Sequence, residues 1–357
     1  MSSTTAIEWT DRVWNPIRGC SMVSAGCQNC YAMKQAHRFS GPGQPYEGLT
    51  YGPRWTGKIK LVPEALDAPL HWKKPRRIFV NSMSDLFHEE VHDKFIAAVF
   101  GVMAAAPQHT FQVLTKRPER MRQWFRWIES KRGGLTTSLV KHGGAWPKVD
   151  EYSAESVLCA YCAREVLEPL SKVTWAPWPL PNVWLGVSVE NQATADERIP
   201  LLLETPAAVR FVSAEPLLGS VDFSVPWPPG WREQGDPQSD RFDGLRFDDR
   251  NSFARLGRLN WVIVGGESGP GARPCDVSWI RSIRDQCQKA GVPVFVKQLG
   301  AKPFVVEGSQ AAQEWSASGA TSVMDDCGGI HVKDKKGGDM AEWSEDLRVR
   351  EFPGRKL

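Results

Sequence analysis

The stretch NVWLGVSVEN, residues 182–191, is a β-branched and aromatic apolar run that gives way to polar residues from Ser188 onward. An apolar run of this length without alternation reads as a strand covered on both faces. Six further segments share the design: RVWNPIRGC (12–20), RIFVNSMSD (77–85), TFQVLTKRP (110–118), VRFVSAEP (209–216), NWVIVGGESG (260–269) and VPVFVKQLG (292–300). Helical patterns lie between them. They include HDKFIAAVFGVMAAA (92–106) and DVSWIRSIRDQCQKAG (276–291), the second opening on an Asp cap and closing on Gly. Strand, helix, strand in repetition means parallel strands joined by crossover helices. The pattern predicts an α/β fold, a full or partial (β/α) barrel of about six to eight strands with insertions. An open dinucleotide-binding sheet is the weaker expectation, because no G-x-G-x-x-G follows the first strand and GGESGPG (265–271) lacks that spacing.

A chain of 357 residues suits one elaborated barrel. The barrel is expected over residues 1–300, with insertions at about 129–180 and 225–258, and residues 301–357 are expected as a C-terminal extension packed on it. With 41% hydrophobic and 24% charged residues the composition is that of a soluble globular protein. No run of 18 apolar residues spans a bilayer, and MSSTTAIEWTDRVWNP has no apolar signal core. A cytoplasmic protein without membrane association follows as the expectation. The net charge of +3 is too small to argue for nucleic acid by itself. Eight cysteines are too sparse for a secreted disulfide scaffold, and their clustering points to metal or redox chemistry.

The cluster is GCSMVSAGCQNCYAM (19–33), in which Cys20, Cys27 and Cys30 are spaced C-x6-C-x2-C directly after the first strand segment. Close spacing lets one backbone segment wrap a metal centre. Two readings stand. Cys27 and Cys30 can be half of a zinc site completed by Cys159 and Cys162, with Cys20 a buried small residue. Alternatively three thiolates hold an iron-sulfur cluster and leave one iron open to a ligand. Cys275, Cys287 and Cys327 are scattered and read as small core residues. His142 is a further candidate beside Cys159 and Cys162. HEEVH (88–92) has the spacing of the zinc-protease helix, but it stands at a strand-to-helix junction with no third ligand, which argues against that chemistry.

Polar residues gather at the strands' C-terminal ends, where α/β barrels build their sites. Asn81, Ser82, Ser84 and Asp85 follow the second strand; Ser188, Glu190, Ser213 and Glu215 follow the fourth and fifth and offer hydrogen-bonding groups to a ligand. Each of these carboxylates equally suits an ion pair with a neighbouring cation. Gly266 and Glu267 end the sixth segment, the glycine permitting close backbone approach. Lys116, Arg117, Lys297 and Gln298 complete the candidate catalytic or substrate-binding set, the cations fitting a carboxylate or phosphate. Lys297 equally suits a salt bridge to Glu267 or Glu215.

Three cysteines after the first strand of a barrel, ending in CxxCY with Tyr31 adjacent, resemble the radical S-adenosylmethionine superfamily. More closely, the chain is similar to the phage-associated three-Cys-motif proteins of unassigned function. The motifs are IEWTDRVWNPIRGC (7–20), GCQNCYA (26–32), NSMSDLFHEEV (81–91), LTKRPERM (114–121), WLGVSVENQ (184–192), SAEPLLG (213–219), GGESGPGARP (265–274) and FVKQLG (295–300). The resemblance implies a bacterial or phage-encoded enzyme of the radical S-adenosylmethionine type. In it Cys20, Cys27 and Cys30 bind a [4Fe-4S] cluster and S-adenosylmethionine chelates the open iron. One electron then cleaves the cofactor to a 5′-deoxyadenosyl radical that abstracts hydrogen from a substrate. It further implies cofactor contacts from Tyr31, Asn81, Ser82, Ser84, Asp85, Ser188, Glu190, Ser213 and Glu215, an external electron donor, and room for a partner protein. Two departures stand out. The superfamily spacing is C-x3-C-x2-C, and its Gly-Gly-Glu after the second strand is replaced here by NSMSD.

KKPRR (73–77) and KRPERMRQWFRWIESKR (116–132) mix cations with rings, as nucleic-acid grooves do. An amphipathic helix with Trp124 and Trp127 turned inward has the same pattern. Trp175, Trp178 and Trp227 likewise suit loop packing or base stacking. A nucleic-acid-derived substrate is one expectation. A non-catalytic, zinc- or iron-sulfur-stabilised nucleic-acid-binding protein is the alternative.

Overall fold

Each of the seven segments carries a strand in the computed structural model, which describes residues 5–141, 178–226, 241–245, 258–318 and 320–354. The strands are β1 (Arg12–Trp14), β2 (Arg77–Val80), β3 (Thr110–Thr115), β4 (Val183–Ser188), β5 (Val209–Ala214), β6 (Trp261–Gly265) and β7 (Val294–Gln298). They form one seven-stranded sheet in chain order, β1 to β7. The sheet is mixed with helices and open, the partial rather than the closed form of the expected barrel. The first segment is shorter than expected: β1 ends at Trp14, and Ile17–Arg18 pairs antiparallel with Lys60–Leu61. Pro16, which has no N–H to give a ladder, separates the two.

The chain divides into two compact units. One comprises Met1–Met22, Tyr31–Leu185 and Thr205–Ala208, the other Val23–Cys30, Gly186–Glu204 and Val209–Leu357. In the first unit β1, β2 and β3 pair in parallel, with Trp14 opposite Val80 and Val80 opposite Val113. Ile78–Val80 of β2 and Phe111–Val113 of β3 are buried without a break, as strands covered on both faces require, whereas β1 buries only Trp14. The helix α1 (Tyr31–His37) follows the cysteine loop, α2 (Asp93–Ala105) joins β2 to β3, and α3 (Pro118–Lys141) follows β3. Phe100 of α2 stacks on Trp124 of α3 with centroids 4.5 Å apart, and Phe125 and Trp178 close the cluster. Trp124 is fully buried and its indole N–H donates to the Asp93 carbonyl, so this ring is packing and no platform for bases. Because α3 runs to Lys141, the start of the expected insertion at 129 is its continuation. His142, Cys159, Cys162, Trp175 and Trp227 lie outside the described residues.

In the second unit all five residues of β6 are buried between β5 and β7, Val262 pairing with both Val212 and Val294. Its helices are α4 (Gln192–Glu204), α5 (Val277–Ala290) and, among the described residues, the short α6 (Gln310–Ala317). The caps of α5 match the sequence reading: the Asp276 carboxylate accepts from the Ser278 amide and Gly291, at φ 66°, closes the helix. The free edge of β7 is covered by the chain's own C-terminal segment. Arg350 bridges antiparallel to Phe295, with Val296 N to Val349 O at 2.9 Å and Glu351 N to Val294 O at 3.0 Å. An edge so covered offers no template for pairing with another chain.

Phe352 anchors that segment against Trp261 and Phe295, with centroids 5.3 and 5.4 Å away. At about 0.5–1.5 kcal/mol per aromatic pair, Phe352→Ala is expected to cost about 1–3 kcal/mol in urea unfolding and to raise self-association, read by light scattering.

Candidate functional site

The expected site residues stand at the carboxyl ends of the strands in both units. In the first unit the centre is Arg117, just after β3 and nearly buried. Its guanidinium donates to Asp85 (3.1 Å), to Glu89 (2.9 and 3.1 Å), to the Ser21 hydroxyl (2.7 Å) and, at 3.8 Å, to the Cys20 sulfur. Burial pushes the guanidinium's pKa down, but Asp85, Cys20 and Glu89 outweigh it and raise it, so the cation is fixed. Asp85 also accepts from the Thr115 hydroxyl (2.8 and 3.0 Å) and the Lys116 amide (3.1 Å). It is therefore a structural acceptor whose oxygens are engaged inside the protein. His88 shares Ser21 with Arg117 at 2.9 Å, and burial together with the Arg117 charge pushes its imidazole below the ordinary value.

His88 stands outside any regular element, residues 89–90 form a turn, Val91 is a bend, and His92 is the N-cap of α2. The two histidines of HEEVH therefore share no helical face, and Glu89 is engaged by Arg117, so the zinc-protease comparison has no geometry behind it.

The segment after β2 folds over the first cysteine's approach. The Ser84 hydroxyl donates to the Ile17 carbonyl (2.9 Å), and Ser84 bridges to Gly19. The Ser82 hydroxyl donates to Asn15 (3.2 Å), and its carbonyl accepts the Tyr31 hydroxyl at 2.6 Å. Asn81 differs from these neighbours. It is 2% exposed, adopts φ 58°, and neither its side-chain nitrogen nor its oxygen has a hydrogen-bond partner. Left-handed backbone at a non-glycine residue, with a buried unpaired amide, marks a position held against local cost.

In the second unit the carboxylates after β4 and β6 hold the cysteine-bearing segment Val23–Cys30. Glu190 is completely buried, takes Arg198 at 3.3 Å on both oxygens and accepts from the Ser24 hydroxyl at 2.8 Å. Gly26 lies against it so closely that an added Cβ would stand 2.4 Å from the carboxylate. Glu267 accepts from the Asn29 amide (3.0 Å) and pairs with Arg273 at 2.6 Å, and Arg273 in turn donates to the Ala25 carbonyl at 2.9 Å. Burial raises the Glu267 pKa, yet hydrogen bonds from Arg273 and Asn29 outweigh it and pull the carboxyl below its ordinary value. Glu215 is paired with Lys297 and accepts from Gln298 at 3.3 Å, while Gln298 also donates to the Gly266 carbonyl at 2.9 Å. Gly266 abuts the Leu299 carbonyl, where a Cβ would come within 2.2 Å, so its close approach is to backbone. Ser188 and Ser213 are buried, and the Ser188 carbonyl accepts from Arg198 at 2.8 Å.

Locally, Ala25–Cys27 makes one 3-10 turn, Cys30 N bonds to Cys27 O at 3.2 Å, and α1 begins at Tyr31. All three cysteines are partly buried. Among the described residues no three His, Cys, Asp or Glu side chains gather into a group able to hold one metal ion. A four-iron cluster takes each thiolate on a different iron, so its ligands need not meet at one point. Cys275 and Cys287 are core residues, as expected, with thiols pushed up by burial, Cys275 to about 12, whereas Cys327, also expected in the core, is exposed in a turn. Sequence reasoning missed Arg198, Arg273, Asn29, Ser24 and Ser21 as partners. Ser21, Ser24 and Asn29 stand within the cysteine stretch and Arg273 within GGESGPGARP, while Arg198, inside α4, carries no local signal.

Fold and site together define an α/β protein with a parallel sheet and a cysteine-bearing loop tied to charged residues at the strands' carboxyl ends. The chain belongs to the family described as protein of unknown function (DUF5131), whose family model matches residues 4–338. No curated protein and no solved structure matches it. Among the described residues no helix is long and apolar enough to cross a membrane.

Two outcomes follow. Glu190→Gln leaves the Arg198 charge buried and unpaired and is expected to cost about 3–5 kcal/mol in urea unfolding, with part regained in Glu190→Gln/Arg198→Met. Because the folded Glu267 pKa is depressed, its stabilisation is complete above about pH 4.3, the ordinary glutamate value. It is lost as pH falls through the lower folded value, and Glu267→Gln is expected to flatten the acid limb of a stability-against-pH curve.

Proposed function

We propose that the chain is a radical S-adenosylmethionine-like enzyme, with Cys20, Cys27 and Cys30 holding a [4Fe-4S] cluster, acting on a nucleic-acid-derived substrate. The observation that carries this reading is the donor set: three thiols within residues 20–30, set in a loop after the first strand of a parallel sheet. The cluster, when bound, supplies the electron that cleaves S-adenosylmethionine and so releases a hydrogen-abstracting fragment. The chain's residues prepare for it. Arg117 places a fixed cation 3.8 Å from the Cys20 sulfur. Glu190 and Glu267 restrain the segment bearing Cys27 and Cys30 through Ser24, Asn29 and Arg273. Asn81 supports the reading from the second strand end, since its unpaired buried amide offers two donors and an acceptor to a ligand with amino and carboxylate groups.

Anaerobic reconstitution is expected to give a brown protein with about four irons and four sulfides per chain that releases 5′-deoxyadenosine on reduction with S-adenosylmethionine. Asn81→Gly keeps the left-handed backbone; it should retain the iron and lose cleavage about ten-fold or more. A full cluster without cleavage would leave an electron-transfer or structural centre. One zinc without iron would favour the metal-stabilised binding protein instead.

A further inference from the structure

Among the described residues the exposed aromatic side chains are Tyr31 (51%), Phe39 (52%) and Tyr51 (87%), all in one segment of the first unit. Exposed rings gathered in this way need a reason, because each gains stability by burial. The basic segments singled out in the sequence do not show this feature: Trp124 is buried and Arg117 is locked in ion pairs. Here the rings come with charge. Residues 31–60 carry Lys34, Arg38, Arg54, Lys58 and Lys60 against the single carboxylate Glu47, whose side chain is occupied by the Gly43 amide at 2.8 Å.

The arrangement follows from local structure. On α1 the residues Ala32, Met33 and Ala36 are buried, which leaves Tyr31, Lys34 and Gln35 along the outer face and Arg38 just beyond its end. The helix packs against a hairpin, Thr50–Tyr51 with Arg54–Trp55. Tyr51 and Arg54 are register partners, so ring and guanidinium leave the same side of the hairpin. Beneath them Tyr46 and Trp55 form a half-buried ring pair at 6.5 Å, with the Arg18 guanidinium 5.8 Å from Tyr46. The inner rings hold the element together, and the outer rings and cations are what it presents.

We propose that the outer face of α1 and the hairpin at residues 50–55 bind single-stranded nucleic acid, the rings stacking on unpaired bases and the cations tracking the phosphates. The charge excess matches a polyanion, and exposed rings match bases whose faces are open, which a duplex hides. An acidic protein partner offers the charge without the stacking surface. The inference rests on the proposed function only for the strand's role as substrate, α1 beginning at the residue after Cys30; the binding itself does not depend on the cluster.

The test uses the full-length chain and a labelled single-stranded oligonucleotide of about a dozen nucleotides, read by fluorescence anisotropy. Phe39→Ala and Tyr51→Ala are each expected to weaken binding about five-fold or more, the loss of one stacked base. Arg38→Glu/Arg54→Glu is expected to weaken it and to flatten the salt dependence by a slope of about 0.7 for each phosphate no longer neutralised. Thermal unfolding, iron content and strand-independent 5′-deoxyadenosine release should stay at the parent's level in Tyr51→Ala. Strand binding that these substitutions weaken, in a chain that forms no cluster, would keep this surface and remove the proposed enzyme. The surface itself is overturned by any of three results: no binding of the oligonucleotide, binding untouched by the substitutions, or equal binding of a duplex or polyglutamate.

Discussion

A carboxylate buried at the end of a parallel strand must find a cation and hydrogen-bond donors, or it costs several kcal/mol. This protein meets that demand repeatedly. In one unit Asp85 is met by Arg117 and Thr115; in the other Glu190 is met by Arg198 and Glu267 by Arg273, and the half-buried Glu215 is paired with Lys297. The strand ends are therefore charge-balanced polar assemblies. Their geometry is fixed by charge balance as much as by the apolar packing beneath them.

These assemblies reach into the cysteine loop. Arg117 touches Cys20 and Ser21 with one guanidinium, so the residue that neutralises Asp85 also faces the loop's first thiol. Glu190 and Glu267 do the same for the segment Val23–Cys30, through the Ser24 hydroxyl and the Asn29 amide. At the end of β2 the Asn81 amide is buried with neither its nitrogen nor its oxygen hydrogen-bonded.

The covering of β7 by residues 349–351 shows the same economy in the apolar part of the fold. Backbone groups that an open sheet leaves bare are satisfied by the chain's own end, and Trp261 contributes its indole N–H to the Glu351 carbonyl at 2.8 Å.

Strand identity was legible in the sequence because fully covered parallel strands are written as uninterrupted apolar runs, and all seven runs became strands in chain order. The caps of α5 were legible for a similar reason, since Asp at the start and Gly at the end act within one turn. The cysteine spacing and the polar residues at the strand ends were equally local. What the sequence could not specify was partnership. Glu190 and Glu267 read as ligand contacts or as ion pairs, and only the fold supplied Arg198 and Arg273; Lys297, free to choose between two glutamates, was assigned to Glu215. Tryptophans that suited either bases or packing were decided by burial, as at Trp124, while the exposed rings of residues 31–51 carried no periodic signal. Periodicity and caps are properties of neighbouring residues, whereas charge pairing and exposure depend on segments far apart in the chain, and those only tertiary structure brings together.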